Sequence, residues 1–394
     1  MPQEKTLAVY VHWPFCLSKC PYCNFTSFPE NDRSIYQIVE NFLRLDLENE
    51  LAKIGKRRIV SVFFGGGTPS LMAPAAVESI LNVLEKMCPM DDDVEISLEA
   101  NPKTFDKEKM QNFLNAGITR ISLGIQSFQS ENLKFLGRIY DGSMALAAAE
   151  IVANVFQNFS MDFIYGYQKL KDWKNDLSTA LSFGPLHISS YQLTIEENTP
   201  FFHRQSNGTL AMAMDEEHEL KLHHFTRKFL EDNGLRQYEI SNYAAAGYES
   251  RHNLVYWTYG DYLGVGPGAH SRITLDGKKH EIEKISRPQN WMNSLKNGDD
   301  GTCHRRALSS SEEFEEILLM GLRLTDGIKL NERRLTLPLP MEKIRFLLEN
   351  NLMENDRERL RLTYAGRNRL NSILEFLLTD LDAATSVLPP SSTS

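Results

Sequence analysis

The sequence predicts an α/β fold, a partial (β/α)6 TIM-like barrel followed by a smaller, mostly helical C-terminal domain. Short apolar, β-rich segments alternate with amphipathic helical segments through residues 1–195, and six such units can be counted. Strands separated by helices imply parallel pairing, and six units fit an open barrel better than a doubly wound sheet. After residue 310 the periodicity is mainly helical again, which predicts a separate small domain.

The predicted strands are apolar runs bounded by turn residues. They are residues 6–11, 59–64, 94–99, 120–125, 159–165 and 187–193. Between the first two, Ile35, Val39 and Phe42 recur at helical spacing until Gly55 ends the helix. In folds of this class the chemistry gathers at the carboxyl ends of the strands. The motifs that follow the first three strands should therefore lie on one rim.

The chain divides into five segments. These are the barrel at 1–195, an extension at 196–275 that carries the HNLVYW and GVGPGAHS motifs, a charged linker at 276–310, the C-terminal domain at 311–382 with a short β-like piece at 359–363, and a low-complexity tail at 383–394. We expect the tail to be disordered, because it is rich in Ser and Pro and poor in large apolar residues.

Composition excludes several classes of protein. The 394 residues are 42% hydrophobic and 24% charged, as in ordinary soluble proteins, and the net charge of −9 argues against a general nucleic-acid binder. No run of apolar residues is long enough to span a membrane, and the first residues lack the pattern of a signal peptide. We therefore expect a cytoplasmic protein. Five cysteines, three of them clustered, predict a metal or redox site rather than a disulfide framework.

The cluster lies in residues 10–25, YVHWPFCLSKCPYCNF, directly after the first strand. Its members are Cys16, Cys20 and Cys23. Thiolates suit zinc, copper(I) and iron–sulfur clusters, but structural zinc usually needs four ligands, and Cys88 and Cys303 are isolated. A [4Fe–4S] cluster can be held at three irons with the fourth left open. We favour the cluster; zinc with His12 as fourth ligand, or unligated cysteines, are the alternatives.

Two further motifs end strands 2 and 3. Residues 65–69, GGGTP, are either a tight strand-to-helix turn or a place where bare backbone approaches a polar ligand. Glu99, in ISLEANP, is either a solvated carboxylate at a loop mouth or a ligand contact. We favour the ligand interpretation for GGGTP because of its position.

The C-x3-C-x2-C spacing after a first strand resembles the radical S-adenosylmethionine (SAM) superfamily. The resemblance implies a partial (β/α)6 barrel and a [4Fe–4S] cluster whose open iron is chelated by SAM. It also implies that the loop after strand 2 receives the methionine amino group. The residues expected there are Gly66, Gly67 and Thr68, and Tyr22, just before the third cysteine, is expected near the adenine.

Further motifs, in order, resemble the oxygen-independent coproporphyrinogen III oxidase family, which includes the HemW-like heme chaperone branch. They are CPYCNF, FFGGGTPS, EANP, GIQSF, DFIYG, HNLVYW and YLGVGPGAHS. The resemblance implies contacts to SAM or substrate from Tyr10, Glu99, Gln126, Arg138 and Asp162. The chain departs from the family at Gly166-Tyr167-Gln168, where Gly-Leu-Pro is usual, and at Tyr140, where histidine is usual.

Two features separate the branches of that family. The oxidase has a further cysteine two residues after the third, where this chain has Phe25, and HNLVYW at 252–257 is typical of the chaperone branch. The resemblance thus implies binding of heme, a cluster and SAM, transfer of heme to an acceptor protein, and an electron donor if SAM is cleaved. The alternative is the oxidase, an enzyme of porphyrin biosynthesis that decarboxylates coproporphyrinogen III oxidatively with SAM; Phe25 argues against it.

His252 is the residue that we expect to contact heme, because imidazole is a common ligand of heme iron. The alternative is a histidine that orders its loop by hydrogen bonding. Tyr256 and Trp257 are expected to form the flat wall of a porphyrin pocket, or else to pack in the core. The weaker heme candidates are His223, His224, Cys303 and His304.

Overall fold

The structure, a computed structural model, describes residues 5–210, 216–330 and 339–379. The tail predicted at 383–394 lies outside these ranges. Within them, no helix combines the length and the apolar character that crossing a membrane requires.

Strands and helices alternate along the chain. The strands are β1 Thr6–Trp13, β2 Phe15–Cys16, β3 Phe28–Pro29, β4 Arg58–Gly66, β5 Met90–Ala100, β6 Arg120–Gln126, β7 Phe159–Tyr165, β8 His187–Gln192, β9 Arg236–Gln237, β10 Asn242–Ala244, β11 Tyr262–Val265, β12 His270–Leu275, β13 Lys278–Lys284, β14 Thr302–Ala307, β15 Ile328–Lys329, β16 Met353–Asn355 and β17 Arg359–Leu362. The helices are α1 Arg33–Ile54, α2 Pro74–Met87, α3 Lys107–Asn115, α4 Ser130–Phe135, α5 Gly142–Val155, α6 Leu170–Ser182, α7 Pro200–Ser206, α8 Glu216–Asp232, α9 Arg251–Trp257, α10 Pro288–Lys296, α11 Ser310–Gly321, α12 Met341–Glu349, α13 Tyr364–Arg367 and α14 Leu370–Leu378.

The six predicted strands form the parallel barrel, and the fold prediction is confirmed. Strands β1, β4, β5, β6, β7 and β8 pair with one another in that order, all parallel. Alternate residues of each strand face opposite sides. In β6, for example, Ile121 and Leu123 are fully buried in the core outside the barrel, whereas Ser122 and Gly124 line its interior. The barrel is thus apolar toward its helices and polar inside.

The sheet continues beyond both ends of this barrel. Strand β11 pairs in parallel with the free edge of β1, and β12, β13 and β14 follow it as an antiparallel ladder. At the opposite end β10 and β9 extend the sheet next to β8. The described residues thus place twelve strands in one sheet.

The prediction that residues 276–310 form a linker is wrong. This segment contains β13, α10 and β14, which are integral parts of the large sheet and its covering layer. The sequence pattern misled because two buried positions of β13 are lysines, Lys279 and Lys284. A charged residue at a core position removes the alternation of apolar and polar residues on which strand prediction depends.

A buried ion cluster holds this part of the sheet against α1. The Lys284 ammonium donates to Asp46 at 2.7 Å, to Glu50 at 3.0 Å and to the Asp300 carbonyl at 2.6 Å, and its side chain is 1% exposed. Asp46 also accepts from the backbone N–H of Gly266, at the end of β11. Every charge in the cluster therefore has a hydrogen-bonded partner, which buried charges require.

The C-terminal domain has a core of its own, built from α11, α12, α14 and the small sheet β15–β17–β16. Helix α11 begins with a capping box in which Ser309 and Glu312 satisfy each other's backbone N–H groups. The β-like piece predicted at 359–363 is β17, so this prediction is confirmed together with the mostly helical character of the domain.

We expect Lys284→Ala to lower the free energy of unfolding by about 3–5 kcal/mol, because it leaves the buried Asp46 carboxylate without its cation and removes one of the three cations that pair with Glu50. The measurement is urea denaturation followed by far-UV circular dichroism. The matched control is Lys228→Ala on the surface of α8, where the Lys228–Asp232 pair is mostly exposed. The control substitution should lower the free energy of unfolding by less than about 1 kcal/mol. Equal losses in the two variants would contradict a stabilising role for the cluster.

Candidate functional site

A cavity of about 620 Å³ opens at the carboxyl ends of the barrel strands. We call it the barrel cavity. It is lined by the residues predicted to contact the cluster, SAM or heme, with the exception of Trp257 and the four weaker heme candidates. These residues are Tyr10, Cys16, Cys20, Tyr22, Cys23, Gly66, Gly67, Thr68, Glu99, Gln126, Arg138, Asp162, His252 and Tyr256. Their convergence follows from the parallel sheet, because the loops after parallel strands meet on one rim.

The cysteine loop leaves β1 and returns through β3, which pairs with β2 and closes the base of the loop. Its thiols face the barrel cavity, and all three are free. Burial raises the pKa of the Cys16 and Cys23 thiols. Among the described residues, no group of three His, Cys, Asp or Glu side chains is close enough to hold a single metal ion. Three soft donors on one short loop suit an iron–sulfur cluster bound at three of its irons.

Arg138 links this loop to the barrel. Its guanidinium donates to the Cys20 sulfur at 3.2 Å and to the Tyr22 hydroxyl at 3.2 Å. It also donates to the Tyr140 hydroxyl at 3.0 Å, which in turn donates to the Gly124 carbonyl. The tyrosine at the position where the family usually has histidine therefore supports the arginine. The buried cation can offset negative charge on the thiolates.

At the end of β4 the structure requires glycine at two consecutive positions. Gly66 has φ +114°, a conformation that other residues rarely adopt, and a side chain on Gly67 would come within 2.5 Å of the Phe15 carbonyl oxygen. The N–H of Gly66 donates to Glu99 at 3.0 Å. The tight-turn interpretation of GGGTP thus has direct structural support, and the same turn lines the barrel cavity.

Glu99 lies near the end of β5, and its carboxyl group holds a proton more tightly than an ordinary glutamate does. Burial, and then the nearby charge of Asp162, raise its pKa to about 8, although the hydrogen bond from Gly66 opposes the shift. The carboxyl group is therefore neutral in an empty cavity near neutral pH. A cationic ligand would favour its ionised form.

Asp162 is the end of a polar chain that the sequence analysis missed. It accepts hydrogen bonds from Ser122 at 2.7 Å and Ser160 at 2.9 Å. Because the Ser160 hydroxyl donates to Asp162, it accepts from Nδ1 of His187, whose Nε2 accepts from the Tyr238 hydroxyl. Polar residues at alternate positions were the available signal, such as Ser160 and Asp162 in β7 and His187 and Ser189 in β8, since period-two polar residues mark the interior of a barrel.

Two more features of the cavity escaped prediction. Gln126 has φ +65°, which is uncommon for a residue with a side chain and is often found at functional sites. Arg120 is 2% exposed, and its guanidinium makes a long hydrogen bond of 3.5 Å to the Ser97 hydroxyl. No ion pair to Arg120 occurs among the residues described here, although its side chain lines the cavity.

His252 lies on the wall of the barrel cavity, 1% exposed. Its Nδ1 is hydrogen-bonded to Ser61 at 3.0 Å, its Nε2 to the Tyr256 hydroxyl at 2.7 Å, and its ring stacks on Phe63. Burial, and then the charge of Arg120, lower its pKa to about 3. Binding of iron would require one of these two hydrogen bonds to break. The heme contact of His252 therefore stays a prediction.

A second cavity of about 440 Å³ adjoins the first, between the barrel and α11. We call it the aromatic pocket, after the six Phe, Tyr and Trp rings in its lining. They are Tyr10, Phe25, Tyr256, Trp257, Tyr259 and Tyr262. The two cavities share Tyr10, Phe25, Gly66, Glu99 and Tyr256. The weaker heme candidates His223, His224, Cys303 and His304 line neither cavity.

Comparison with known proteins gives the family. Residues 10–177 match the Radical SAM superfamily, and residues 308–368 match the HemN C-terminal domain. The chain is 33% identical over 398 residues to the heme chaperone HemW of Haemophilus influenzae, an alignment that covers 96% of this chain and 100% of that protein. The chain belongs to the HemW family of radical SAM proteins. The predicted resemblance is thereby confirmed.

The chain is also similar to eukaryotic proteins. The mouse protein named radical S-adenosyl methionine domain-containing protein 1, mitochondrial, is 36% identical, with 98% of this chain and 90% of that protein covered. Among solved structures, HemN, the coproporphyrinogen III oxidase of Escherichia coli, superposes with a TM-score of 0.80 at 18% identity, covering 96% of this chain and 91% of that one. At this identity the likeness establishes the fold alone.

We expect Glu99→Gln to stabilise the ligand-free protein at alkaline pH. An acid whose pKa rises from its ordinary value to about 8 on folding destabilises the native state increasingly as pH rises between those two values. The gain in melting temperature of the variant should therefore grow from about pH 5 to about pH 8 and level off above it. Differential scanning fluorimetry measures this, with Glu48→Gln on the exposed surface of α1 as control. A gain that does not change with pH would contradict the shifted pKa.

Proposed function

We propose that this protein is a heme chaperone that binds a [4Fe–4S] cluster and SAM in the barrel cavity and transfers heme to an acceptor protein. The observation that carries the proposal is identity of about one third, over nearly the full length of both chains, with proteins named heme chaperone HemW. Membership of the radical SAM superfamily supports the cluster and SAM as cofactors. The proposed location is the cytoplasm, although animal relatives carry the word mitochondrial in their names.

The cysteine loop would hold the cluster through Cys16, Cys20 and Cys23. When bound, such a cluster supplies an electron for the cleavage of SAM, and an external electron donor would be needed for this. The chain's own part is to hold the thiolates on one loop, to place Arg138 beside Cys20, and to keep water out of the cavity.

The proposed SAM contacts surround the same cavity. The turn of Gly66, Gly67 and Thr68 together with Glu99 would receive the methionine end, where an ionised Glu99 attracts the ammonium group. Tyr22 would lie near the adenine. The remaining proposed contacts are Tyr10, Gln126, Arg138 and Asp162.

The heme contacts proposed for α9 differ in kind. Tyr256 and Trp257 line the aromatic pocket directly and can provide flat apolar surface to a porphyrin. His252 acts through its hydrogen bond to Tyr256, which orients that ring. Its proposed role is therefore indirect as long as both ring nitrogens keep their partners.

The second candidate function is oxidative decarboxylation of coproporphyrinogen III. The fold shared with HemN is compatible with this activity. Against it stands Phe25, an apolar side chain 59% exposed, where the oxidase is expected to have a cysteine. A phenyl ring cannot act as a thiol in ligation, proton transfer or redox chemistry.

We expect Cys20→Ala to abolish cluster binding, because two thiolates remain where three are needed. After anaerobic reconstitution, wild-type protein should contain about four iron and four sulfide per chain, and the variant close to none. The matched control is Cys303→Ser, which alters the exposed thiol on β14 and should bind as much iron as wild type. If Cys20→Ala retains its iron, the assignment of the cysteine loop is wrong.

One reconstituted sample separates the two functions. The chaperone should take up heme stoichiometrically, seen as a shift of the Soret band, and should leave coproporphyrinogen III unchanged in the presence of SAM and reductant. Catalytic accumulation of the vinyl-bearing product would establish the oxidase instead. As a positive control, the same preparation of reductant and SAM is tested on authentic coproporphyrinogen III oxidase.

A further inference from the structure

The aromatic pocket has the properties of a site for a flat, largely apolar ligand. Its volume of about 440 Å³ falls within the range of small-molecule sites, roughly 300–1,000 Å³. The rings of Tyr256 and Tyr262 meet edge to face, with centroids 4.6 Å apart. Phe25, at the boundary with the barrel cavity, exposes 59% of its surface. Tyr256, Trp257 and Tyr262 are half-buried around the pocket, so their rings form a shaped apolar wall that is still accessible to a ligand.

The polar side of this pocket is built by alternate residues of β12. His270 and Arg272 line it, whereas Ser271 and Ile273, between and after them, are buried on the other face. The Arg272 guanidinium is already committed, because it donates to Glu316 of α11 at 3.0 and 2.7 Å. Tyr259 donates to the same carboxylate. This set of contacts fixes α11 as the opposite wall of the pocket.

His270 differs from the other histidines of the two cavities. His12 has both ring nitrogens hydrogen-bonded, to the Tyr10 hydroxyl at 3.1 Å and to the Thr26 carbonyl at 2.8 Å. His187 and His252 are engaged at both nitrogens in the same way. His270 is exposed, and its ring has no hydrogen-bond partner in the described part of the chain. It is therefore the lining imidazole that can bind a metal without losing an existing contact.

We propose that heme occupies the aromatic pocket and that His270 is the axial ligand of its iron. Imidazole is a common axial ligand of heme, and the surrounding rings offer the flat apolar surface that the macrocycle needs. The inference rests on the proposed heme chaperone function and adds to it the position of the heme and the residue that binds its iron. His252 is then a positioning residue that holds Tyr256, and not the ligand.

This placement has a consequence for the two cofactors. Phe25, Glu99 and Tyr256 line both cavities, so heme in the aromatic pocket would be separated from SAM in the barrel cavity by a single layer of side chains. Phe25 follows the cysteine loop directly and would cover an edge of the macrocycle. The chain thus puts a bulky apolar ring at this boundary, where the oxidase is expected to have a cysteine.

The test is hemin titration of the full-length, anaerobically reconstituted protein, followed by the Soret band and by electron paramagnetic resonance of the ferric form. We expect His270→Ala to lose the spectroscopic signature of imidazole ligation and to weaken binding about tenfold or more. Free imidazole should restore the signature by entering the space left by the side chain. His304→Ala, an exposed histidine on β14 outside both cavities, is the matched control and should behave as wild type.

Two further variants identify the competing ligands. His252→Ala should retain the imidazole signature, with at most weaker binding, and so should Met320→Leu, which removes the thioether in the pocket lining. If His270→Ala keeps the wild-type spectrum while His252→Ala or Met320→Leu loses it, the proposal is overturned. Iron content and SAM binding of each variant verify that it is folded. Failure of the wild-type protein to bind hemin would refute the heme chaperone function itself, which is a different outcome.

Discussion

The pairing of β1 with a parallel strand on each side determines where everything else in the site lies. One edge of β1 is bonded to β4 and the other to β11, so three loops leave the sheet at the same end. They are the cysteine loop, the glycine turn at Gly66 and the turn that leads to His270. The cysteine loop lies between the other two because its strand does. The barrel cavity on one side and the aromatic pocket on the other therefore share Phe25 and Tyr10.

This arrangement depends on charge buried far from the cavities. Strand β11 is short, and its end is held by the hydrogen bond from Gly266 to Asp46, which Lys284 neutralises from β13. Residues 276–310, which look like a charged linker in the sequence, therefore hold the turn that leads to His270 in place. The lysine costs desolvation free energy, but its three partners are oriented so that the carboxylates are compensated. The stability of the sheet extension and the position of His270 are consequently linked.

The two cavities differ in the charged side chains that line them. The barrel cavity contains Glu99 with a raised pKa, Arg138 beside a cysteine and Arg120 without an ion pair in the described residues, a set of charges suited to a polar, charged ligand. The aromatic pocket offers rings and an unengaged imidazole; it shares Glu99 with the barrel cavity, and its other charged residues, Arg272 and Glu316, form an ion pair with each other. A zwitterionic cofactor and an apolar macrocycle would accordingly favour different sides of β1.

The sequence by itself determined the six-unit barrel, the cysteine loop and the motifs that place the chain among HemW proteins, because these depend on periodicity and spacing within short segments. Only the tertiary structure decided which histidine is buried with both ring nitrogens hydrogen-bonded and which is exposed with its ring nitrogens available to a ligand. His252 lies in a motif and His270 in a glycine-rich turn, and neither segment reveals its hydrogen-bond partners. Tyr256 is a local partner of His252, but Ser61, the partner of its other ring nitrogen, comes from β4, 191 residues away along the chain. Long-range strand pairing brings them together, and no local pattern encodes it.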